Sequence, residues 1–301
     1  MFRVLNARPR RAAADRLPAS SSRAIKSEVE LYSLIFERFD CNHNLEGSMN
    51  LVFASGFLVP QHVLGINYFR GVENHLKGKH ETLFPNVGPL ETSEERASEL
   101  ADAIKDRKFP KGEIHIIAHS MGGLDCRSLI GRNLHGLSDP GRIASLTTLS
   151  TPHRGSPVAD LLLGQKPTTP LDLLMHEAVG NVLDQLSIPT GALRDLTTKG
   201  ASRIPDVAKT HPHIRYRSCF AAGRPAPFPT CVILLPTHHY VHSVTHQAND
   251  GVVALGSARY GEFQEPFFRC DHVDLVGHNL DPPGFSQFPH FAAIEALIAQ
   301  L

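Results

Sequence analysis

The window Ile114 to Arg127, IHIIAHSMGGLDCR, constrains this chain more than any other. An apolar strand pattern runs directly into a small-x-Ser-x-small pentapeptide and then into a helical pattern. A serine on a tight turn between strand and helix adopts strained backbone angles that lift its hydroxyl clear of the sheet. The residues two before and two after pack against each other under the turn and must be small, a demand that Ala118 and Gly122 meet. The turn also aims the Met121 backbone N–H and the helix N-terminus at any negative oxygen that forms there. Ser120 is thus a candidate nucleophile and Met121 N–H a candidate oxyanion donor. A plain helix N-cap followed by glycines for close packing also accounts for Ser-Met-Gly-Gly, but it requires neither the preceding strand nor two small flanks.

The surrounding pattern places this turn in a layered fold. Met49 to Ala54 reads as a short buried strand, Tyr68 to His80 as helical, and Glu81 to Phe84 as a second strand. Thr92 with Glu95 three residues on is a capping box that opens a helix through about Lys108, with Leu100, Ala103 and Ile104 on one face. Glu113 to Ala118 is a third strand, Met121 to Leu134 a helix, and Ile143 to Leu149 a fourth strand. Such alternation predicts βαβ units, hence an α/β fold with a mostly parallel central sheet and helices on both faces. From Thr151 to Thr198 the pattern is helical and broken by Pro157, Pro167, Pro170 and Pro189, which reads as an insertion over the sheet. Strand-like segments return at Ile214 to Ala221 and near Glu265 to Cys270, and Phe291 to Leu301 reads as a last helix.

A serine nucleophile needs a second oxyanion donor, a general base and an acid to orient that base. Ser55-Gly56-Phe57-Leu58 follows the first strand, and Phe57 N–H is the candidate donor. Val207 to Asn249 contains no Asp or Glu; the first acid afterwards is Asp250, in Asn-Asp-Gly, which is also a common turn signal. His272 follows an expected strand end and is the candidate base, with Asp250 its acid. The chain has 18 histidines, so rivals exist. His278 is a nearby alternative, His290 precedes the terminal helix, and His153 reads as a surface residue. Asp271 is a poor partner for its neighbour His272, because adjacent side chains in extended backbone diverge. His238, His242 and His246 share a helical face at a spacing that metal ligands use, but their run offers no thiolate or carboxylate.

Composition excludes other classes. Thirty Lys plus Arg against 30 Asp plus Glu give no net charge, whereas a general nucleic-acid binder carries a basic excess. No apolar run approaches the roughly 20 residues of a membrane span. Five cysteines at irregular spacing, without a CxxC pair, give neither a disulfide framework nor a zinc site. The balance conceals an asymmetry: residues 1–26 hold seven basic residues and one acid, so 27–301 carry a net charge of −6. This leader has no apolar core run and is not a secretory signal; it reads as an organellar transit peptide or as a disordered tail. Residues 27–301 form the expected main domain.

With these residues in hand, the sequence resembles the bacterial true lipases of family I and their intracellular microbial relatives in the α/β-hydrolase superfamily, over roughly Met49 to Asp281. AHSMGGLDCR with TTLSTPHRGSPVAD, NDGVV around Asp250 and DHVDLVGH around His272 carry the resemblance. It implies an α/β-hydrolase fold and an intracellular lipase that cleaves acylglycerol-type esters, with Ser120, Asp250 and His272 as the triad. It implies Phe57 and Met121 as the oxyanion hole. The chain departs from the family at Ser55, where a His is usual, and at Ala118, where Gly is usual. Secreted members bind calcium near the catalytic His; Asp274 matches one ligand, while the acid-free stretch before Asp250 supplies no other and His278 stands where an amide is expected.

The expected chemistry needs no cofactor, calcium at Asp274 being the one ion in question. The expected partner is a small-molecule lipid ester, with no nucleic acid and no dedicated protein partner. Leucine-rich faces between 151 and 198 read as a lid over an acyl pocket that contacts the lipid surface, or as an extra core layer. Alternatives on the same fold are a phospholipase, a polyester depolymerase, an acyltransferase or a non-catalytic lipid-binding protein.

Overall fold

In the computed structural model of the protein, the described residues are 47–57, 62–63, 66–163, 190–223, 230–265, 268–279 and 288–301. They belong to the compact unit His43–Leu301. The leader and the middle of the insertion lie outside them.

Strand formation follows the apolar runs. β1 (Asn50–Ala54), β4 (Glu81–Leu83), β5 (Ile114–His119), β6 (Ile143–Leu149), β7 (Arg215–Cys219) and β8 (Glu262–Phe263) form one six-stranded sheet in the order β4-β1-β5-β6-β7-β8. Every neighbouring pair in it is parallel. Two dipeptides, β2 (His62–Val63) and β3 (Ile66–Asn67), make a separate antiparallel ladder. The expected α/β class is therefore observed. Parallel strands buried on both faces read as continuous apolar runs, and β1 is buried at all five positions.

Alternate residues of these strands build two cores. Val52, Ala54, Ile114, Ile116 and Ala118 meet Ala97, Leu100, Ala101 and Ile104 of α2 (Ser93–Arg107) and Leu129 and Ile130 of α3 (Gly122–Gly131). Phe53 instead joins an aromatic cluster, stacking on Phe84 at 4.5 Å and meeting Phe69 edge-on at 5.3 Å. The capping box at Thr92 is present with both of its reciprocal hydrogen bonds, and α2 ends at Lys108 in the left-handed region.

The expected Tyr68–His80 helix is reduced to α1 (Val72–Leu76). Gly71 and Gly78 bracket it at φ 74° and 78°, angles that no helix continues through. The strand expected near Glu265 to Cys270 is displaced to β8, and Phe268 makes only an isolated bridge with Ala221. Pro266 between them has no N–H to give to a ladder. The described ends of the insertion are helical: α4 (Pro157–Leu162) and α5 (Thr190–Asp195). Further along lie α6 (Leu235–Thr245) and α7 (His290–Ile298). Among the described residues no helix is long and apolar enough to cross a membrane.

Candidate active site

All six strands point the same way, so the loops at their C-terminal ends gather along one edge, where open α/β sheets place their sites. Four such segments matter here: Ser55-Gly56-Phe57 after β1, Ser120 after β5, the segment around Asp250 after β7 and that around His272 after β8.

Ser120 sits at φ 54°, a left-handed angle that costs a non-glycine residue about 1–3 kcal/mol. Tertiary contacts enforce it: Ser120 N–H donates to the Leu149 carbonyl at 3.0 Å, and Ser120 O accepts from Gly123 N–H at 3.2 Å. The small flank is required by the neighbouring strand. A Cβ on Gly122 would lie 2.5 Å from the Ala54 carbonyl oxygen and 2.7 Å from that of Ser55. Gly56 approaches from the other side, where a Cβ would lie 2.8 Å from Ser120 Cβ and collide with the Tyr68 hydroxyl. The Ser55-Gly56-Phe57 loop thus reaches the serine only because residue 56 has no side chain. Neither Phe57 N–H nor Met121 N–H has an acceptor among the described residues.

The late loops bring the two remaining candidates to the serine. His272 Nε2 lies 2.9 Å from Ser120 Oγ, and His272 Nδ1 lies 2.7 Å from Asp250 Oδ2. Asp250 is fully buried, and its Oδ1 accepts from the N–H groups of Val252 at 3.0 Å and Val253 at 2.7 Å. One carboxylate oxygen therefore pins the turn and the other faces the imidazole. The backbone repeats the link, with His272 N–H donating to the Asp250 carbonyl at 2.9 Å. The arrangement lets a hydroxyl lose its proton to an imidazole whose opposite nitrogen is held by a buried carboxylate.

The rival residues go elsewhere. His278 Nε2 bonds to the Tyr68 carbonyl at 2.8 Å and His290 Nε2 to that of Arg70 at 2.9 Å. His153, expected at the surface, is 4% exposed, bonded through Nε2 to Thr148 Oγ1 and stacked on Tyr260. Its ring fills the turn after β6, so burial holds its pKa well below the ordinary value.

Asp274, the residue in question for calcium, lies beside Asp271, and both carboxylates accept backbone N–H groups. Asp271 Oδ2 accepts Cys231 N–H at 2.8 Å, its Oδ1 accepts Val273 and Asp274 N–H, each at 3.0 Å, and Asp274 Oδ2 accepts Asp271 N–H. These carboxylates are committed to backbone donors, which clasp the segment at Cys231 directly to the His272 loop. Of the histidines on and after α6, His238 is buried, whereas His242 and His246 face solvent. Among the described residues no group of three His, Cys, Asp or Glu is placed to hold a metal.

Two features escaped sequence reasoning. His119 lies beneath His272, ring centroids 4.6 Å apart, and its Nδ1 meets the Tyr68 hydroxyl at 2.7 Å. Burial, then the neighbouring His272, hold its pKa well below the ordinary value, so the ring is neutral. The Tyr68 hydroxyl is also bonded by the Gly56 backbone, and burial raises its pKa. Arg96 of α2 is wholly buried: its Nε donates to Asp125 Oδ2 at 2.8 Å and its Nη2 to the carbonyls of Ser55 at 2.7 Å and Gly56 at 3.1 Å. Its Nη1 bonds to the Gly88 carbonyl. Burial pushes the Asp125 carboxyl up to about 6, against the lowering effect of Arg96. The available signal for Arg96 was its position, four residues before Leu100 on the apolar face of the capped helix.

No protein-family model matches the sequence. Triacylglycerol lipase 2 of Saccharomyces cerevisiae is 30% identical over 221 residues, 71% of this chain. The match takes in 63% of that yeast protein's length. A triacylglycerol lipase of Vibrio cholerae is 24% identical over 256 residues, 75% of this chain and 78% of its own length. Among solved structures, Staphylococcus hyicus lipase superposes with a TM-score of 0.61 at 20% identity, covering 86% of this chain and 96% of that one. Bacillus licheniformis lipase BlEst2 gives 0.58 at 20% identity, over 84% and 94%. At such identities the solved structures speak to the fold.

Proposed function

We propose that the chain, which has an α/β-hydrolase fold and lipases among its sequence relatives, is a serine ester hydrolase of the triacylglycerol lipase kind. The observation that carries this reading is the continuous line from Ser120 Oγ through His272 to Asp250, at 2.9 and 2.7 Å.

In the proposed reaction His272 Nε2 takes the Ser120 proton as Oγ attacks the ester carbonyl. Asp250 holds the imidazole in the tautomer with its proton on Nδ1 and stabilises the imidazolium that forms. Phe57 and Met121 N–H groups receive the tetrahedral oxyanion. His272 then protonates the departing alcohol, and a water activated by the same imidazole releases the fatty acid. These steps call for no metal or organic cofactor.

The substrate class is an acylglycerol-type ester. The lipase relatives support this, as does the apolar cluster beside the oxyanion loop, where Leu162 and Leu163 of the insertion and Ala192, Leu193 and Leu196 pack with Met121, Leu124 and Phe57. On this reading the insertion 151–198 is a lid whose ends are anchored here. Shortening it is expected to reduce long-chain more than short-chain activity. We also propose that the chain acts inside the cell, with residues 1–26 as an import leader; a diffuse signal from a reporter fused to them would count against import.

The direct test is labelling with a fluorophosphonate probe, alongside acid release from short and long acyl esters in the presence of detergent. Wild type is expected to label and to favour long esters, and Ser120→Ala to lose both activities. Persistent labelling in Ser120→Ala, or a wild type inert to the probe with detergent present, would overturn the assignment.

A further inference from the structure

Away from the candidate active site, the turn after β6 meets residues 201–209 and the segment before β8 to enclose a cleft of about 840 Å³. Its walls carry Arg127, Arg154, Arg203, Lys209 and Arg259 against one carboxylate, Asp206. Two of these cations are paired: Lys209 with Asp206 at 3.1 Å and Arg259 with Glu265 at 3.1 Å. The other three have no ion pair among the described residues.

Arg127 is the decisive member. It is 4% exposed, and a buried guanidinium is ordinarily matched by a carboxylate because desolvating an unpaired charge is costly. Here its donors reach the carbonyls of Pro205 at 3.0 Å, His153 at 3.0 Å and Ile204 at 2.8 Å and the His153 Nδ1 at 3.4 Å, none of them a carboxylate, while its carbon lies 4.9 Å from the Tyr260 ring centre. Asp206 is within electrostatic reach but is bonded to Lys209 and to the Tyr260 hydroxyl. Arg154, exposed at the rim, is fixed by the carbonyls of Gly256 at 2.5 Å and Arg259 at 2.8 Å. Arg203, also exposed, has Asp195 in electrostatic range; that carboxylate is bonded to the N–H of Ser93.

A second basic cleft, of about 490 Å³, shows the contrast. It is lined by Lys105, Lys108, Lys111 and Arg142, all exposed. Solvated cations there need no counter-charge. The first cleft combines a buried, carboxylate-free guanidinium, two pre-fixed or free arginines at the rim and the aromatic faces of Tyr260 and Phe263, an environment suited to bidentate recognition of phosphate oxygens.

We propose that this cleft binds a phosphate-bearing anion, supplied either as a soluble phosphate ester or as the head group of an acidic phospholipid. The proposal does not depend on the hydrolase reading. It is tested on full-length Ser120→Ala protein, so that no ester turnover intrudes. Binding of inorganic phosphate and glycerol 3-phosphate is measured by calorimetry, and binding to phosphatidylcholine vesicles with and without phosphatidic acid by co-sedimentation. The rim pair is changed as Arg154→Gln with Arg203→Gln. Lys105→Gln with Lys111→Gln in the other cleft is the charge-matched control, and thermal melting checks that both remain folded. The expected result is saturable binding in at least one arm, weakened on the order of tenfold or more by the arginine pair and unchanged by the lysine pair. The arm that responds identifies the source of the phosphate. Absence of binding in both arms, or equal weakening by the two pairs, overturns the proposal.

Discussion

Arg96 offers the sharpest test of how the candidate oxyanion hole is held. The Gly56 carbonyl and the Phe57 N–H are opposite ends of one planar trans peptide, so fixing the oxygen at 3.1 Å from Arg96 Nη2 fixes the direction of the N–H. Arg96→Met leaves two loop carbonyls without their donor and leaves Asp125, 1% exposed, without its counter-charge. Breaking a buried pair in this way costs about 3–5 kcal/mol of stability. The loss is limited because Asp125, already pushed up to about 6, takes a proton at neutral pH once the guanidinium is gone. Complete loss of an oxyanion donor lowers kcat by about 10²–10³-fold; a donor that is present but poorly aimed is expected to cost about 10–100-fold. That loss should fall on kcat with KM little changed, since the contact forms only in the transition state. Arg96→Met combined with Asp125→Leu removes both charges and is expected to recover most of the stability while kcat stays low. Urea denaturation and turnover of a soluble short-chain ester measure the two quantities. A single variant that is destabilised yet keeps kcat within about twofold, or a double variant whose kcat recovers along with its stability, would refute the positioning argument.

Four further outcomes follow from the same geometry. Asp250→Asn is expected to lower kcat by about 10⁴-fold through the wrong imidazole tautomer, and steady-state kinetics showing a loss below about tenfold would remove Asp250 from the proposed triad. Gly122→Ala drives a methyl into the Ala54 and Ser55 carbonyls and should destabilise the fold by about 1–3 kcal/mol, read as a lower urea midpoint. His119 and His153 are both held neutral well below the ordinary value of 6.5. The unfolded chain therefore binds the extra protons first, so their contribution is intact above pH 6.5 and each subtracts about 1.4 kcal/mol per pH unit as pH falls below it; denaturation at pH 7 and pH 5 should show that slope, flattened in His153→Gln. Because the Asp271 carboxylate closes the His272 loop on Cys231 N–H without an intervening ion, chelation is expected to leave ester hydrolysis unchanged, and an EDTA-sensitive rate restored by calcium would contradict the direct clasp.

What the sequence determined by itself was local. The strained serine turn was readable because its small flanks, preceding strand and following helix lie within the 14 residues of Ile114 to Arg127. The capping box at Thr92 and the strands Asn50–Ala54 and Ile143–Leu149 were readable for the same reason: their causes are short-range in the chain. Chain order also narrowed the acid to Asp250, since no other carboxylate lies between Val207 and Asn249. What only the tertiary structure decided is which groups from distant segments share one volume. Of 18 histidines, His272 meets Ser120 across 152 positions, and His278, six residues later, is turned to the Tyr68 carbonyl. The partnership of Arg96 with Ser55 and Gly56, the Tyr68 bond to His119 and the arginine cleft around Arg127 leave no local pattern. Each is a long-range hydrogen bond or an unpaired charge, set by how helices settle on the sheet rather than by the residues next to it in the chain.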